Sequence, residues 1–506
     1  MHPFAATNNE QPAPSRSFWL VGALLAVAGL RLWRLPEAGP PDFDSVLNWQ
    51  IVQQVAHGDF ANMFQHGSPG FFLLYAPVAF FIRDFLVFQT INALLGVAAL
   101  GFFCGWVSGR SQLAGPETAA LVALAGTSLL LTFAGRDFTM NSVDLLVFAC
   151  LLRSHFQRLQ RPSAAAILLV AGWLALGLSF DYKFLFAVPI LVVLEVWQAD
   201  GLWRKRGIWG RVLLVLLVPF VVLGAVGVAA GLPWYRWLAF YVRVVVPTAA
   251  NPAGRQLTLD LDLFYYFHYL LRYESLLLLA GLVVAAWQVW RSLRAGTNWR
   301  VLPTALLPYL LVWAVCLVGG MSLLVKAPRG LLFAYTPLAA LAVLSFRRVV
   351  SGWALVGGVL MAAGLNLRLI QRELFAPLPN PYAKVGAWLQ AHGATKVAST
   401  VGLGVAPYLA SNQCLTVVYD ERELAGLRRQ GYQYVLLDGY WRVAGVHRFD
   451  SLQKQTPVVA WPAPQLHSSL LFLEHSEYMG LGFERTLLAA RRATADTLAL
   501  RLYRLQ

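Results

Sequence analysis

Apolar residues in this chain fall into long unbroken runs divided by short polar connections, and the alternation that marks half-buried strands is absent until the last quarter. Eleven runs approach the length of about 20 residues that a helix needs to cross a bilayer core. They occupy residues 17–35, 85–107, 117–133, 142–157, 163–180, 184–198, 208–232, 273–289, 301–320, 330–345 and 352–367. The pattern predicts a polytopic α-helical membrane domain over residues 1–370. Beyond Gln371 the composition turns polar, and Pro377, Pro379 and Pro381 read as a linker. Short alternating stretches such as KVAST, LTVVY, YQYVLLD and LALRLYRL, interleaved with helix-like pieces, predict a water-soluble α/β domain over 371–506. That length is sufficient for a core of its own.

One polar interruption is unusually long. Residues 36–84 separate the first and second runs and hold Asp42, Asp44, His57, Asp59 and His66. Within this loop, residues 46–56 predict an amphipathic surface helix, with Leu47, Ile51, Val52, Val55 and Ala56 on one side and Gln50, Gln53 and Gln54 on the other. Asp44 stands where an N-cap would stand. The piece 70–82 is apolar but short and contains Pro77, so it reads as a juxtamembrane or re-entrant helix opened by Ser68 as N-cap and Pro69 at N1.

Composition and charge agree with this layout. The chain has 506 residues, 58% hydrophobic and 13% charged, which excludes a soluble globule for most of its length. A net charge of +15 comes largely from Lys and Arg in short loops, the pattern of cytoplasmic connections, and calls for no nucleic-acid partner. If 70–82 does not span, the clusters Arg153/Arg158/Arg161, Arg204/Lys205/Arg206/Arg211, Arg291/Arg294/Arg300 and Arg347/Arg348 all lie on the cytoplasmic side with the amino terminus. The long loop and the α/β domain then lie outside. The apolar run after Arg16 continues past a candidate cleavage site at Ala28, so it reads as an anchor rather than a cleaved signal. Four scattered cysteines give neither a metal spacing nor a disulfide framework.

The outer face so defined carries Asp42, Asp44, Asp59, Asp137, Asp144, Asp181, Asp260 and Asp262, together with Arg136, Lys183, Arg255, Lys326 and Arg329. Carboxylates beside cations suit transfer of a group from a phosphate-linked donor. A carboxylate takes the proton of an acceptor hydroxyl, and cations hold the departing phosphate. Asp44 or Asp42 is the candidate base, and Arg136, Lys183, Lys326 and Arg329 are candidate phosphate ligands. Each has an ordinary alternative, as helix cap for the acids and as snorkelling interfacial residue for the cations. Trp234, Tyr235, Tyr265 and Tyr266 are candidates to stack on sugar or isoprenoid, and Glu274 is placed to pair with Arg272.

In chain order these motifs resemble the GT-C-type glycosyltransferases, in the branch of the protein O-mannosyltransferases and the bacterial lipid A aminoarabinose transferases. The matching text is Asp44-Ser45, Gly58-Asp59 and His66-Gly67-Ser68-Pro69 in the first loop, then Arg136 with Asp144. Asp181-Tyr182-Lys183 and the LLVKAPRG segment holding Lys326 and Arg329 follow. Ser45 stands where such an acidic motif has its second acid. The resemblance implies inverting transfer of a monosaccharide from a polyprenyl-phosphate donor to a glycan, lipid or protein acceptor, outside a bacterial cytoplasmic membrane. It implies a base at Asp44 or Asp42, Asp144 and Asp137 as second-loop acids in preference to Asn141 in that role, and a substrate pocket with His66 and Tyr182. Members differ in metal use, so it implies either a divalent cation (Mg or Mn) held by Asp44, Asp137 and Asp144, or none. A transporter or flippase and a noncatalytic envelope assembly factor are the competing classes. Neither the mid-span ionisable residues nor the related halves of many transporters are evident.

Overall fold

The computed structural model describes residues 15–40, 43–198, 202, 206–245, 262–324, 326–400, 403–437, 449–476, 481–495 and 499–505. Asp42, Arg255 and Asp260 lie outside the described residues. All eleven apolar runs are helical. The membrane domain consists of α1 (Ser15–Leu32), α2 (Phe43–Ala56), α3 (Pro69–Phe81), α4 (Phe85–Ser111), α5 (Gly115–Gly126), α6 (Leu129–Arg136), α7 (Asn141–Gln160) and α8 (Ala164–Phe180). It continues with α9 (Ala187–Gln198), α10 (Arg206–Ala229), α11 (Arg236–Val245), α12 (Tyr265–Tyr273), α13 (Leu276–Arg294), α14 (Leu306–Met321), α15 (Leu332–Phe346) and α16 (Gly352–Ile370).

Among the described residues, six helices are long and apolar enough to cross a membrane, and a seventh crossing is available if the bent pair α5 and α6 counts as one. The chain is an integral membrane protein. The expected count of eleven exceeds this because α8, α9 and α14 are short, and α7 carries Asp144, Arg153 and Arg158 along its length. Helix α3 has only thirteen residues and buries Phe71, Phe72, Tyr75 and Ala79 while exposing Phe80 and Phe81. Pro69 does occupy its first turn, but the Ser68 hydroxyl donates to the carbonyl of His66 and makes no cap.

The predicted run at 117–133 is broken, with α5 and α6 meeting at 67°. A break in an apolar environment leaves amide donors without partners, and each must be met from within the protein. Ser128 caps α6 by accepting from Leu131 N. Glu274 answers the rest: its carboxylate accepts from Ser128 Oγ at 3.1 Å, Leu130 N at 3.0 Å and Leu129 N at 3.3 Å. Glu274 is therefore not the partner of Arg272, which instead reaches Glu484 at 2.7 Å on the surface.

The carboxyl-terminal domain contains a five-stranded mixed sheet in the order β2-β1-β3-β5-β4. Its strands are β1 (Lys396–Thr400), β2 (Cys414–Val418), β3 (Tyr434–Leu437), β4 (Val459–Pro462) and β5 (Ala499–Arg504). β1 runs parallel to β2 and β3, whereas β5 is antiparallel to β3 and β4. Helices α17 (Tyr382–Ala391), α18 (Ser469–Glu474) and α19 (Phe483–Ala495) complete the part that matters here. Val385, Leu389, Leu471, Leu500 and Leu502 share one core.

The domain is joined to the membrane helices by polar contacts at both ends of α18. Just past α16, Glu373 accepts from the Ser468 and Ser469 hydroxyls and from Leu470 N, meeting donors at the α18 amino end. At the other end, Ser476 Oγ donates to the carbonyl of Lys326 at 2.7 Å. Tyr265 and Tyr266, read from sequence as ligand-stacking residues, are fully buried in this junction. Tyr265 Oη meets Ser476 Oγ at 2.9 Å, and Tyr266 Oη donates to the carbonyl of Ala327 at 3.2 Å.

The Glu274 cap predicts an asymmetry. Glu274→Ala leaves several buried donors unmet and lowers unfolding free energy by about 2–3 kcal/mol. Arg272→Ala breaks a half-exposed ion pair and costs less than about 1 kcal/mol. Unfolding of the purified protein in detergent measures both, and equal effects contradict the capping role.

Candidate active site

A cavity of about 410 Å³ lies where the long first loop, the loop after α6, the turn before α9 and the turn before α15 meet. It collects residues that are far apart in the chain: Asp44 and His66, Asp137, Tyr182 and Lys183, and Arg329.

Asp44 sits in the first turn of α2, which begins at Phe43, one turn earlier than the apolar pattern suggests. It is thus a helical residue at the positive end of the helix dipole rather than its cap. α2 is held by its buried side, where Val46, Ile51, Val52 and Val55 pack inward. It is also tied to the loop after α6, because Ser45 Oγ accepts from Phe138 N and Asn48 Nδ2 donates to the carbonyl of Phe138, each at 3.2 Å. These two contacts bring Asp44 and Asp137 to one wall. The helix ends at Gly58, whose φ of +85° gives the left-handed turn a glycine adopts without penalty.

His66 has a φ of +56°, a strained value for a residue with a side chain, and places Nε2 3.7 Å from Asp44 Oδ1. That separation is too long for a hydrogen bond. The following Gly67, at φ +68°, lies against the Phe240 ring, where a Cβ would approach within 2.5 Å. Phe240 and Tyr182, with ring centroids 5.9 Å apart, form an aromatic wall beside the acids.

Lys183 is the best-anchored cation. Its ammonium lies 2.8 Å from Asp181 Oδ2, 3.2 Å from Asn141 Oδ1 and 4.0 Å from Asp144 Oδ2. Asp181 also accepts from Lys183 N, so the short turn at Tyr182–Phe186 presents the lysine in one orientation. Burial opposes the charge on Lys183, but Asp181 and Asp144 outweigh it and hold the ammonium above the ordinary lysine range. Asp144 itself is fully buried beneath Lys183 and does not line the cavity.

Arg329 also lines the cavity, from the turn Pro328–Leu331, where Gly330 allows the Tyr266 hydroxyl and Met321 to approach within 2.5 and 2.7 Å of a notional Cβ. Its backbone N donates to Glu474 Oε1 at 3.1 Å. Glu474, the last residue of α18, is 1% exposed and also borders the cavity. The carboxyl-terminal domain thus supplies part of the wall, a contribution that no sequence motif announced.

Chains of similar architecture give this arrangement a context. No protein-family model and no curated protein sequence matches the chain. Solved structures do: that of ArnT from Cupriavidus metallidurans in the apo state aligns over 85% of this chain and 94% of its own, at 14% identity and a TM-score of 0.55. The same protein bound to undecaprenyl phosphate aligns over 85% and 95%, at 14% identity and a TM-score of 0.54. The fold is that of ArnT. An oligosaccharyltransferase from Archaeoglobus fulgidus aligns over 84% of this chain and 70% of its own, with 12% identity and a TM-score of 0.45, too distant to carry an argument.

Within this ArnT-like fold, two of the cations expected in the cavity are committed elsewhere. Arg136 donates from Nη1 to the carbonyls of Arg31 and Trp33 at 2.7 Å each, and its guanidinium lies 5.1 Å from the Phe375 ring centroid. It ties the end of α1 to α6 and does not line the cavity. Lys326 is buried, with Nζ at the carbonyl of Leu324. Asp44, Asp137 and Asp144 do not converge into a ligand set, and among the described residues no three His, Cys, Asp or Glu side chains do. The residues present therefore do not form the three-acid metal site considered from sequence.

The Lys183 contacts make a stability prediction. Lys183→Met leaves Asp181 and Asp144 without their shared countercharge and destabilises by about 3 kcal/mol. Adding Asp181→Asn to that variant restores part of the loss. Unfolding in detergent checks this, and a Lys183→Met protein as stable as wild type contradicts the anchoring.

Proposed function

We propose that this protein is an inverting membrane glycosyltransferase that moves a monosaccharide from a polyprenyl-phosphate donor to an acceptor hydroxyl at the outer membrane face. The observation that carries the reading is the single cavity that places Asp44 on one wall with Lys183 and Arg329 on others. It occurs in a fold shared with ArnT, a structure of which holds undecaprenyl phosphate.

In this reading the donor phosphate lies between Lys183 and Arg329, and Asp44 faces the acceptor. Asp44 removes the hydroxyl proton as the acceptor oxygen bonds to the anomeric carbon. The bond from that carbon to the phosphate oxygen breaks in the same displacement, which inverts the centre and leaves both bonding electrons on phosphate. Lys183 and Arg329 meet the charge that develops there. Because Asp181 and Asp144 hold Lys183 protonated, this cation is preorganised and costs no rearrangement during reaction. His66 lies beside the Asp44 carboxylate, and the tilted rings of Tyr182 and Phe240 offer an aromatic edge on which a sugar face or the first isoprene unit can rest.

Glu474 is a positioning residue in the same scheme. By accepting from Arg329 N it fixes the turn that carries the guanidinium. A transporter or an assembly factor does not require a carboxylate and two cations around one cavity, and their grouping here supports the enzyme reading.

Asp44→Asn is expected to lower transfer by about 10²–10⁴-fold, the usual contribution of a general base, while Arg329→Gln raises the KM for donor. Purified protein assayed with a panel of radiolabelled polyprenyl-phosphate sugars and membrane-extract acceptors reads both. Undiminished transfer by folded Asp44→Asn contradicts the assignment.

A further inference from the structure

A second, larger cavity of about 660 Å³ lies at the other end of α15. The fifteen residues of this helix start beside Arg329 and end at Phe346, so the two cavities are separated by about 22 Å along it, at 1.5 Å per residue. The second cavity is bordered by the ends of α4, α13 and α15 and by the start of α14, at the far end of α15 from the candidate active site.

Its chemistry is basic. Arg110, Arg347 and Arg348 line it, and no acidic residue does. Arg347 is already occupied: it pairs with Glu117 at 3.1 Å and donates to the carbonyls of Ser111 and Gln112 at 2.7 and 2.9 Å, satisfying the carboxyl end of α4. Among the described residues Arg110 and Arg348 have no carboxylate partner, and the one contact of Arg110 is with the Phe156 ring at 5.8 Å. Two guanidinium groups therefore face a cavity with no anion from the chain to answer them. One further group is unmet. Gln288 donates through Nε2 to the carbonyl of Ser345 at 2.9 Å, but its Oε1 is buried without a donor. An occupant that satisfies all three groups carries negative charge for the arginines and a hydrogen-bond donor for the amide oxygen.

We infer that this cavity binds a glycerol-phosphate headgroup, with the phosphate between Arg110 and Arg348 and a glycerol hydroxyl donating to Gln288 Oε1. A lipid of the adjoining leaflet and a soluble glycerol phosphate share this chemistry. The exposed Trp287, Trp290 and Trp299 nearby suit the level of lipid headgroups and favour the lipid. The site is independent of the proposed transfer reaction.

The full-length protein in nanodiscs containing equal phosphatidylglycerol and phosphatidylcholine, released into a native mass spectrometer, tests this. Wild type is expected to retain phosphatidylglycerol over phosphatidylcholine by about tenfold, consistent with two basic contacts near a membrane surface. Arg110→Gln/Arg348→Gln loses the preference, and Arg110→Lys/Arg348→Lys keeps most of it, which separates charge recognition from misfolding. A rise in melting temperature with sn-glycerol 3-phosphate, lost in the Gln double variant, assigns the soluble source instead. No lipid preference together with no thermal response in wild type overturns the proposal, as does a preference unchanged in the Gln double variant.

Discussion

A carboxylate removed from water must be answered by donors, and in a membrane protein those donors have to come from the chain. The region around the Asp44 cavity is organised by this constraint. Asp181 is answered by Lys183 at 2.8 Å, and the same ammonium lies 4.0 Å from Asp144, which fixes it as a cation at the cavity wall. Glu274 is answered by the opened amino end of α6, Glu373 by that of α18, and Glu474 by the turn that carries Arg329. Apart from Asp181 with Lys183, these pairings join segments remote in sequence, and together they bring the broken helix, the late turn and the carboxyl-terminal domain to one place.

The helical character of the apolar runs and most of the strands were legible because each depends on local composition. That Asp44, Lys183 and Arg329 border one cavity agrees with their grouping from the motifs. What could not be read depended on long-range partners. Nothing in the sequence distinguishes Arg136 from Arg329, yet one guanidinium is taken up by the carbonyls at the end of α1 and the other borders the cavity. The bend between α5 and α6 was hidden because Gly126, Thr127 and Ser128 interrupt the run only mildly, and the acid that stabilises the break lies 146 residues away. Strand β4 was missed because Val459–Pro462 is short, ends in proline and gains its pattern only at the sheet edge.

The two ends of α15 express the same electrostatics in opposite ways. At one end, buried acids hold cations in set positions around a cavity that also carries Asp44. At the other end basic residues gather, and Arg347 closes a helix end while Arg110 and Arg348 line a cavity without an acid. One helix thus connects a cavity suited to chemistry with a cavity suited to a headgroup.

The central claim is that Asp44, Lys183 and Arg329 surround the donor phosphate on one membrane face. Electron cryomicroscopy of the protein in nanodiscs with undecaprenyl phosphate tests it most directly. The account predicts phosphate density bridging Lys183 and Arg329, with the Asp44 carboxylate across the same cavity and Glu474 at the Arg329 turn. Phosphate held elsewhere in a cavity that leaves Lys183 and Arg329 untouched, or Asp44 and Arg329 on opposite faces of the bilayer, would contradict it.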